Sequence, residues 1–102
     1  MSMQDVILCI QTDRTQYLPG DNVAITVTAK KGEKALAQEK LKLSIFTPDG
    51  KKIFAASLQT DDNGKAIALY HLRNKDESGS YYIEVQNQDH YLALSSFIVL
   101  NE

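Results

Sequence analysis

The chain has 102 residues, of which 43% are hydrophobic and 24% are charged. This length supports one folded domain with its own core, so residues 1–102 are predicted to form a single domain. Thirteen acidic and eleven basic residues give a net charge of -2, which argues against nucleic-acid binding, because that function needs a basic face. No segment approaches the roughly 20 consecutive apolar residues of a membrane helix, so direct membrane insertion is not expected.

The chain opens with a strand-like run in which Val6, Leu8 and Ile10 occupy alternate positions. Cys9 lies inside this run and is expected to be a buried small apolar residue. As the single cysteine of the sequence it excludes an intrachain disulfide. The first ten residues lack the basic start and the long apolar run that are typical of a signal peptide.

A turn motif and the cleanest strand pattern follow. In the stretch QYLPGDNV, Pro19 has the fixed φ that suits the second position of a type II turn, and Gly20 supplies the positive φ of the third. Tyr17 precedes the bend, where its ring can cover the open end of a sandwich. Asp21 can accept hydrogen bonds from the amides of the turn. Residues 23–29 then alternate apolar and polar side chains, which predicts a strand with one buried face.

Residues 33–42 are rich in Ala, Glu and Lys and carry the only helix signal in the chain. We interpret this segment as a solvated crossover between two sheets, with room for a short strand. A short helix is the alternative. Its charged surroundings make Lys31, Lys34 and Glu39 candidates for contact with a partner.

Five further runs are predicted to be strands, and they cover residues 41–45, 52–60, 65–72, 79–87 and 91–100. Pro48 stands at the second position of the turn in TPDGKK. The pair Asn63-Gly64 is a hairpin signal, because both residues tolerate positive φ.

Two of these runs are ambiguous. In residues 65–72 the buried face could be Ile67 with Leu69, or the opposite set of Ala66, Ala68 and Tyr70. In residues 91–100 the apolar positions change parity near Ser95-Ser96, which predicts a β-bulge there. Seven strands separated by turns every 8–15 residues predict an all-β fold, a seven-stranded antiparallel sandwich of two sheets.

Four motifs in this order carry a family resemblance: TDRTQYLPGDNVAITV, FTPDGKKI, LQTDDNGKA and SGSYYIEV. Together they resemble the second macroglobulin-like domain of the α2-macroglobulin and complement-component superfamily, with Arg14 where the family pattern has Lys. The resemblance implies a fibronectin-type-III-like (immunoglobulin-like) sandwich of three and four strands. The positions of this structural motif are Tyr17, Pro19, Gly20, Asp21, Gly64, Gly79 and Tyr81.

The resemblance also implies a role. It is that of a non-catalytic module within a larger protein that acts on proteases, with neighbouring domains as partners, outside the cell or in the bacterial periplasm or envelope. The stretch DESGSYYIEV also echoes immunoglobulin variable domains, although Ile83 stands where those domains have a cysteine. Tyr81 is accordingly predicted to form a tyrosine corner, with its hydroxyl bonded to backbone in the preceding turn.

The sequence offers no pattern for catalysis, for a cofactor or for a metal. His71 and His90 have no second ligand at metal-binding spacing, TDDNGK lacks the later ligands of a calcium loop, and no Gly-x-Ser-x-Gly elbow is present. We therefore expect no enzyme activity. The alternative function is a free-standing binding domain, such as an adhesin or carbohydrate-binding sandwich. It predicts an exposed aromatic row or a cation site, and Tyr82 and Tyr91 side by side on an open face would favour it.

Overall fold

The computed structural model describes residues 6–73 and 76–101. This part of the chain contains strands and no helix, and thus no helix that could cross a membrane. The strands are β1 (Val6–Thr12), β2 (Gln16–Tyr17), β3 (Asn22–Lys31), β4 (Lys34–Ala35), β5 (Lys40–Phe46), β6 (Lys52–Gln59), β7 (Lys65–His71), β8 (Gly79–Asn87) and β9 (Leu92–Val99).

The strands form two sheets that pack face to face. In the first sheet β3 pairs with β1, with β7 and, at its end, with the short β4, all antiparallel. The second sheet has the order β2-β9-β8-β5-β6, antiparallel except for the short parallel pair of β2 and β9. The seven longer strands divide three and four, so the predicted sandwich is confirmed. The two-residue strands β2 and β4 extend the sheets to five and four strands.

The core is the set of side chains that alternation directs between the sheets. Val23, Ile25 and Val27 of β3 have no exposed surface, and they face Leu43 and Ile83 of the second sheet, which also have none. Successive side chains of a strand point to opposite faces, so these runs bury every second residue and leave the intervening polar ones in water. Burial of apolar surface in this layer is the main favourable contribution to folding.

The ambiguity in β7 is resolved by its pairing with β3. Ala68 pairs with the buried Ile25, which places Ala66, Ala68 and Tyr70 inside. Ile67 and Leu69, on the opposite face, remain 67% and 68% exposed. Because a slip of one residue would invert every side chain of the strand, the register with β3 decides the face.

The predicted bulge in the last strand is wrong. The pairing of β8 with β9 runs without a shift from Gly79–Val99 to Gln86–Leu92. Leu92 and Leu94 simply point to solvent, 54% and 69% exposed, while Phe97 is buried. The apparent change of parity came from reading exposed leucines as core residues. The register shift of the second sheet lies between β5 and β6 instead, at Ile45/Phe46.

The expected burial of Cys9 is also wrong. In β1 the partly buried positions are Val6, Leu8 and Ile10, and Cys9 is exposed on the outer face of the first sheet. Strict alternation requires this placement, because Cys9 has the opposite parity to the apolar set.

Residues 33–42 form the predicted crossover with a short strand, and the helix alternative is wrong. β4 pairs with the end of β3, after which the chain passes to β5 in the second sheet. The buried Thr60 holds this connection in place. Its hydroxyl donates to the carbonyl of Leu36 at 2.5 Å and accepts from the N–H of Glu39 at 2.8 Å.

The turn at Asn63-Gly64 is formed, but the expected hairpin is not. The turn joins β6 of the second sheet to β7 of the first, so its two flanking strands do not pair with each other. The Asp61 carboxylate accepts from the N–H groups of Asn63 and Lys65 at 2.8 and 3.0 Å, and these bonds lower the pKa of Asp61. The pair Asn63-Gly64 thus predicts the turn correctly but does not show which sheet the next strand joins.

The assignment of faces can be tested with a matched pair of substitutions. Ile83→Asp places an unpaired carboxylate in the core and should abolish folding. Leu94→Lys, on the neighbouring strand but facing solvent opposite Glu84, should change the free energy of unfolding by no more than about 0.5 kcal/mol. Thermal melts followed by circular dichroism measure both. Unfolding of the Leu94 variant would show that β9 has been assigned the wrong face.

Gly64 provides a second test, with Gly50 as its control. Both have positive φ, 76° and 88°. A Cβ at Gly64 would lie 2.7 Å from the carbonyl oxygen of Ala29, whereas one at Gly50 would meet nothing within 4 Å. Gly50→Ala should therefore cost only the strain of positive φ, about 1–2 kcal/mol. Gly64→Ala should cost clearly more free energy of unfolding, measured by chemical denaturation, and equal costs would contradict the close approach of Gly64 to Ala29.

Candidate functional site

The Tyr-x-Pro-Gly-Asp motif forms a hydrogen-bonded corner at one end of the sandwich. Tyr17, only 1% exposed, donates its hydroxyl to Oδ1 of Asp13 at 2.7 Å and accepts from the N–H of Arg14 at 2.9 Å. The same Asp13 oxygen accepts from the N–H of Ala24 at 3.0 Å. Since Tyr17 belongs to the second sheet and Ala24 to the first, this carboxylate links the two sheets.

The electrostatics of this corner are those of a fixed structural pair. The hydrogen bond from Tyr17, followed by that from Ala24, holds the pKa of Asp13 below its ordinary value of 3.8. Burial, and then the bond to Asp13, raises the pKa of Tyr17. Near neutral pH the carboxylate is therefore ionised and the phenol protonated, which is the state that the hydrogen bond requires.

The adjoining turn has the predicted geometry. The N–H of Asp21 donates to the carbonyl of Leu18 at 3.0 Å, and Gly20 has a φ of 92°, so Pro19 and Gly20 occupy the central positions of a type II turn. Oδ2 of Asp21 accepts from the N–H of Leu18 at 2.9 Å. Arg14 lies over the ring of Tyr17, 5.0 Å from its centroid, and its Nη1 is 3.4 Å from Asp21.

Tyr81 forms the tyrosine corner that its sequence context predicts. Its hydroxyl donates to the carbonyl of Glu77 at 2.6 Å, and its ring has no exposed surface. Burial raises its pKa to about 12. Phe97 lies between the two tyrosines, stacked on Tyr81 at 5.3 Å and edge-on to Tyr17 at 5.5 Å. Sequence reasoning placed Phe97 in a strand but not in this cluster, and no local signal connects it with Tyr17.

The other motif glycines lie elsewhere. Gly79 begins β8, and a Cβ there would lie 2.8 Å from the Pro48 ring. Gly64 is at the opposite end of the first sheet, where its carbonyl accepts from the N–H of Ala29 at 2.8 Å. The seven motif residues therefore stabilise separate turns and do not converge on one site.

Four of the five candidate interaction residues lie at one end of the sandwich, and Tyr82 lies apart from them. Lys31 pairs with Lys34 across β3 and β4, and both are exposed. Glu39 accepts from Nδ2 of Asn87 at 3.0 Å, and Oδ1 of the same Asn87 accepts from the N–H of Tyr91 at 2.9 Å. Glu39 and Tyr91 are thus joined through one asparagine at the same end of the sandwich as the β3–β4 turn.

Tyr82 lies apart from this group, on the outer face of the second sheet, where it pairs with Ser96 of β9. Tyr91 directly precedes Leu92, whose partner Gln86 is four residues from Tyr82 along β8. Four residues of strand span about 13 Å. Tyr82 and Tyr91 therefore do not form the adjacent pair that would favour the binding-domain alternative.

The two histidines take part in local hydrogen bonds. Nδ1 of His71 is 2.8 Å from Oδ1 of Asn22, and Nδ1 of His90 is 2.9 Å from Nε2 of Gln86. Among residues 6–73 and 76–101, no group of three or more His, Cys, Asp or Glu side chains is placed to hold a metal ion.

Comparison with known proteins now identifies the family. The MG2 domain family model matches residues 7–99. The chain belongs to the MG2 domain family. No curated protein matches it significantly.

This MG2 domain shares its fold with parts of several solved structures. It superposes on Escherichia coli α2-macroglobulin activated by porcine elastase with a TM-score of 0.84 and 23% identity, covering 93% of this chain and 8% of that one. For Salmonella α2-macroglobulin reacted with methylamine, the TM-score is 0.87 and the identity 22%, covering 98% of this chain and 6% of that one. For the Yersinia pseudotuberculosis adhesin InvE the TM-score is 0.73 and the identity 13%, covering 96% of this chain and 33% of that one. The TM-scores show a shared fold, and at identities this low the likeness extends to the fold alone.

The corner of the MG2 domain can be tested with Tyr17→Phe. This variant removes the donor to Asp13 and the acceptor for Arg14 but keeps the ring. Because Asp13 is 46% exposed and water can replace part of the loss, we expect a cost of about 1–2 kcal/mol in the free energy of unfolding near pH 7. Tyr82→Phe, at a 49% exposed tyrosine, should cost less than about 0.5 kcal/mol.

The same variant has a pH signature. In the wild type, the folded-state pKa of Asp13 lies below the ordinary 3.8, so its stabilisation is present above pH 3.8 and lost as pH falls through the folded value. Tyr17→Phe should raise this pKa, as measured by carboxyl-carbon NMR titration. The stability difference between the two proteins should then narrow below pH 3.8. An unchanged Asp13 pKa would contradict the proposed role of the hydroxyl.

Proposed function

We propose that this MG2 domain is a non-catalytic structural module of a larger α2-macroglobulin-type protein. The observation that carries the proposal is the family match over residues 7–99. The chain spans only 6–8% of the bacterial α2-macroglobulin chains to which it is similar, so the module accounts for a small part of a protein of that kind. Its role would be to hold neighbouring domains in fixed positions.

Exposed apolar side chains on both outer faces support contact with neighbouring domains. On the first sheet, Ile67 and Leu69 are about two-thirds exposed and lie two residues apart on the same face of β7. On the second sheet, Leu92, Leu94 and Ile98 of β9 are 54%, 69% and 40% exposed on one face. Apolar side chains grouped on a face, rather than scattered singly, are typical of contact surfaces.

We further propose that the parent protein acts on proteases outside the cell or in the bacterial periplasm or envelope. Relatives of similar fold are described as activated by porcine elastase and by trypsin, which supports proteases as the class of target. In this proposal the MG2 domain itself forms no bond with the protease. The hydroxyls of the buried Tyr17 and Tyr81 serve the fold: Tyr17 donates to Asp13, and Tyr81 donates to the backbone carbonyl of Glu77.

The experiment is to express the complete natural reading frame that contains residues 1–102, beside the 102-residue chain alone. Amide hydrogen exchange of the same residues is compared in the two proteins. We expect β7 or β9 to exchange more slowly in the longer protein, because a neighbouring domain covers Leu69 or Leu94. Leu69→Lys and Leu94→Lys should reduce that difference, with Ala55→Lys, at an exposed position of the edge strand β6, as a control away from both patches.

Two results would overturn the proposal. One is a reading frame without any further domain, and the other is identical exchange of β7 and β9 in both proteins. Hydrolytic activity of the purified 102-residue chain would separately contradict its non-catalytic role.

A further inference from the structure

The outer face of β5 and β6 carries a shallow trough, defined here as two adjoining cavities of about 540 and 200 Å³. Lys42 and Ser57, which pair across the two strands, line both cavities. The next pair along the strands is Ser44 with Ala55. The depression lies above these positions because the side chains of Ser44, Ala55 and Ser57 are small.

The trough is basic within an acidic chain. Lys40, Lys42, Lys52 and His90 line it, and no Asp or Glu lines either cavity. Glu84 pairs with Ser44 from the β8 side but does not line them. Since acidic residues outnumber basic ones 13 to 11 over the whole sequence, the charge is locally reversed here. Such a surface favours an anionic partner.

The trough adjoins an edge of the second sheet. β6 is the last strand of that sheet and pairs only with β5 among the described strands. An extended peptide can add to such an edge through main-chain hydrogen bonds. A second copy of this chain is a poor occupant, because edge-to-edge pairing would place two lysine-lined troughs side by side.

We propose that β6 and the trough together bind an extended, acidic segment of a partner protein. The segment would pair with the edge of β6, and its alternate side chains would lie on the trough side, where carboxylates meet Lys42 and Lys52. The intervening side chains would lie on the core side of the sheet, beside the partly buried Phe54 and Leu58 of β6, which favours apolar residues there. The motif recognised is therefore an alternation of acidic and apolar residues. This inference does not depend on the larger parent protein.

The test uses the ¹⁵N-labelled 102-residue chain and a synthetic eight-residue peptide of alternating Glu and Val. Two matched peptides serve as controls. One has Gln in place of Glu, and the other keeps the glutamates but has Pro at two central positions, which prevents strand pairing. We expect the Glu-Val peptide to shift amide signals in β5 and β6, and both controls to bind at least about tenfold more weakly.

Variants of the chain separate the trough from general charge attraction. Lys42→Gln should weaken binding of the Glu-Val peptide about two- to fivefold, the effect of one exposed ion pair. Lys31→Gln removes the same charge at an exposed site outside the trough and should leave the affinity unchanged. Both lysines are exposed, so both variants should retain the wild-type spectrum away from the substitution.

Three outcomes would overturn the proposal. Equal binding of the proline peptide would exclude strand addition, and equal weakening by Lys31→Gln would exclude the trough as the charged site. Identical signal shifts with inorganic tripolyphosphate would show simple anion attraction rather than recognition of a peptide.

Discussion

Alternation of side chains on paired strands is the constraint from which the rest of this structure follows. β3 is fully buried on one face, and its pairing with β1 and β7 assigns the faces of both neighbours. In the second sheet, β8 does the same for β5 and β9. Once the central strands bury Ile25 and Ile83, the register of the backbone hydrogen bonds determines which face of each neighbouring strand is buried.

The aromatic cluster closes one end of this two-layer core. Phe97 packs against both Tyr17 and Tyr81. The hydroxyl of Tyr17 donates to Asp13, and that of Tyr81 donates to the backbone carbonyl of Glu77. Tyr17 and Asp13 additionally join the two sheets. A buried phenol is stable only when its hydroxyl is satisfied, so the motif residues around these tyrosines are required by packing. Their hydrogen bonds stabilise the fold.

In the proposed function, the outer surface of the domain makes the contacts with its partners. Two kinds of outer surface occur: β7 of the first sheet and β9 of the second present exposed aliphatic residues, while β5 and β6 of the second sheet present lysines beside small side chains. The first kind of surface suits a permanent neighbour, because it gains from burial of apolar area. The second suits a charged and exchangeable partner. A sandwich with different surfaces on different strands can contact several partners at once.

The sequence by itself determined the elements and the turns. The runs containing Val23 and Ile83 have a single plausible face, and Pro19 with Gly20 admits few turns other than type II. Local patterns also sufficed for the tyrosine corner at Tyr81, because its acceptor is four residues away.

Only the tertiary structure decided which apolar residues are buried and which sheet each strand joins. The apolar character of Leu94 does not show its exposure, which is decided by the register of β9 with β8. Cys9 differs, because alternation within β1 is enough to place it on the outer face. The turn at Gly64 gave no sign that it crosses between sheets, since that choice is made by the pairing of β7 with β3. The trough likewise brings together lysines and small residues of two strands, and its depth is a property of their register.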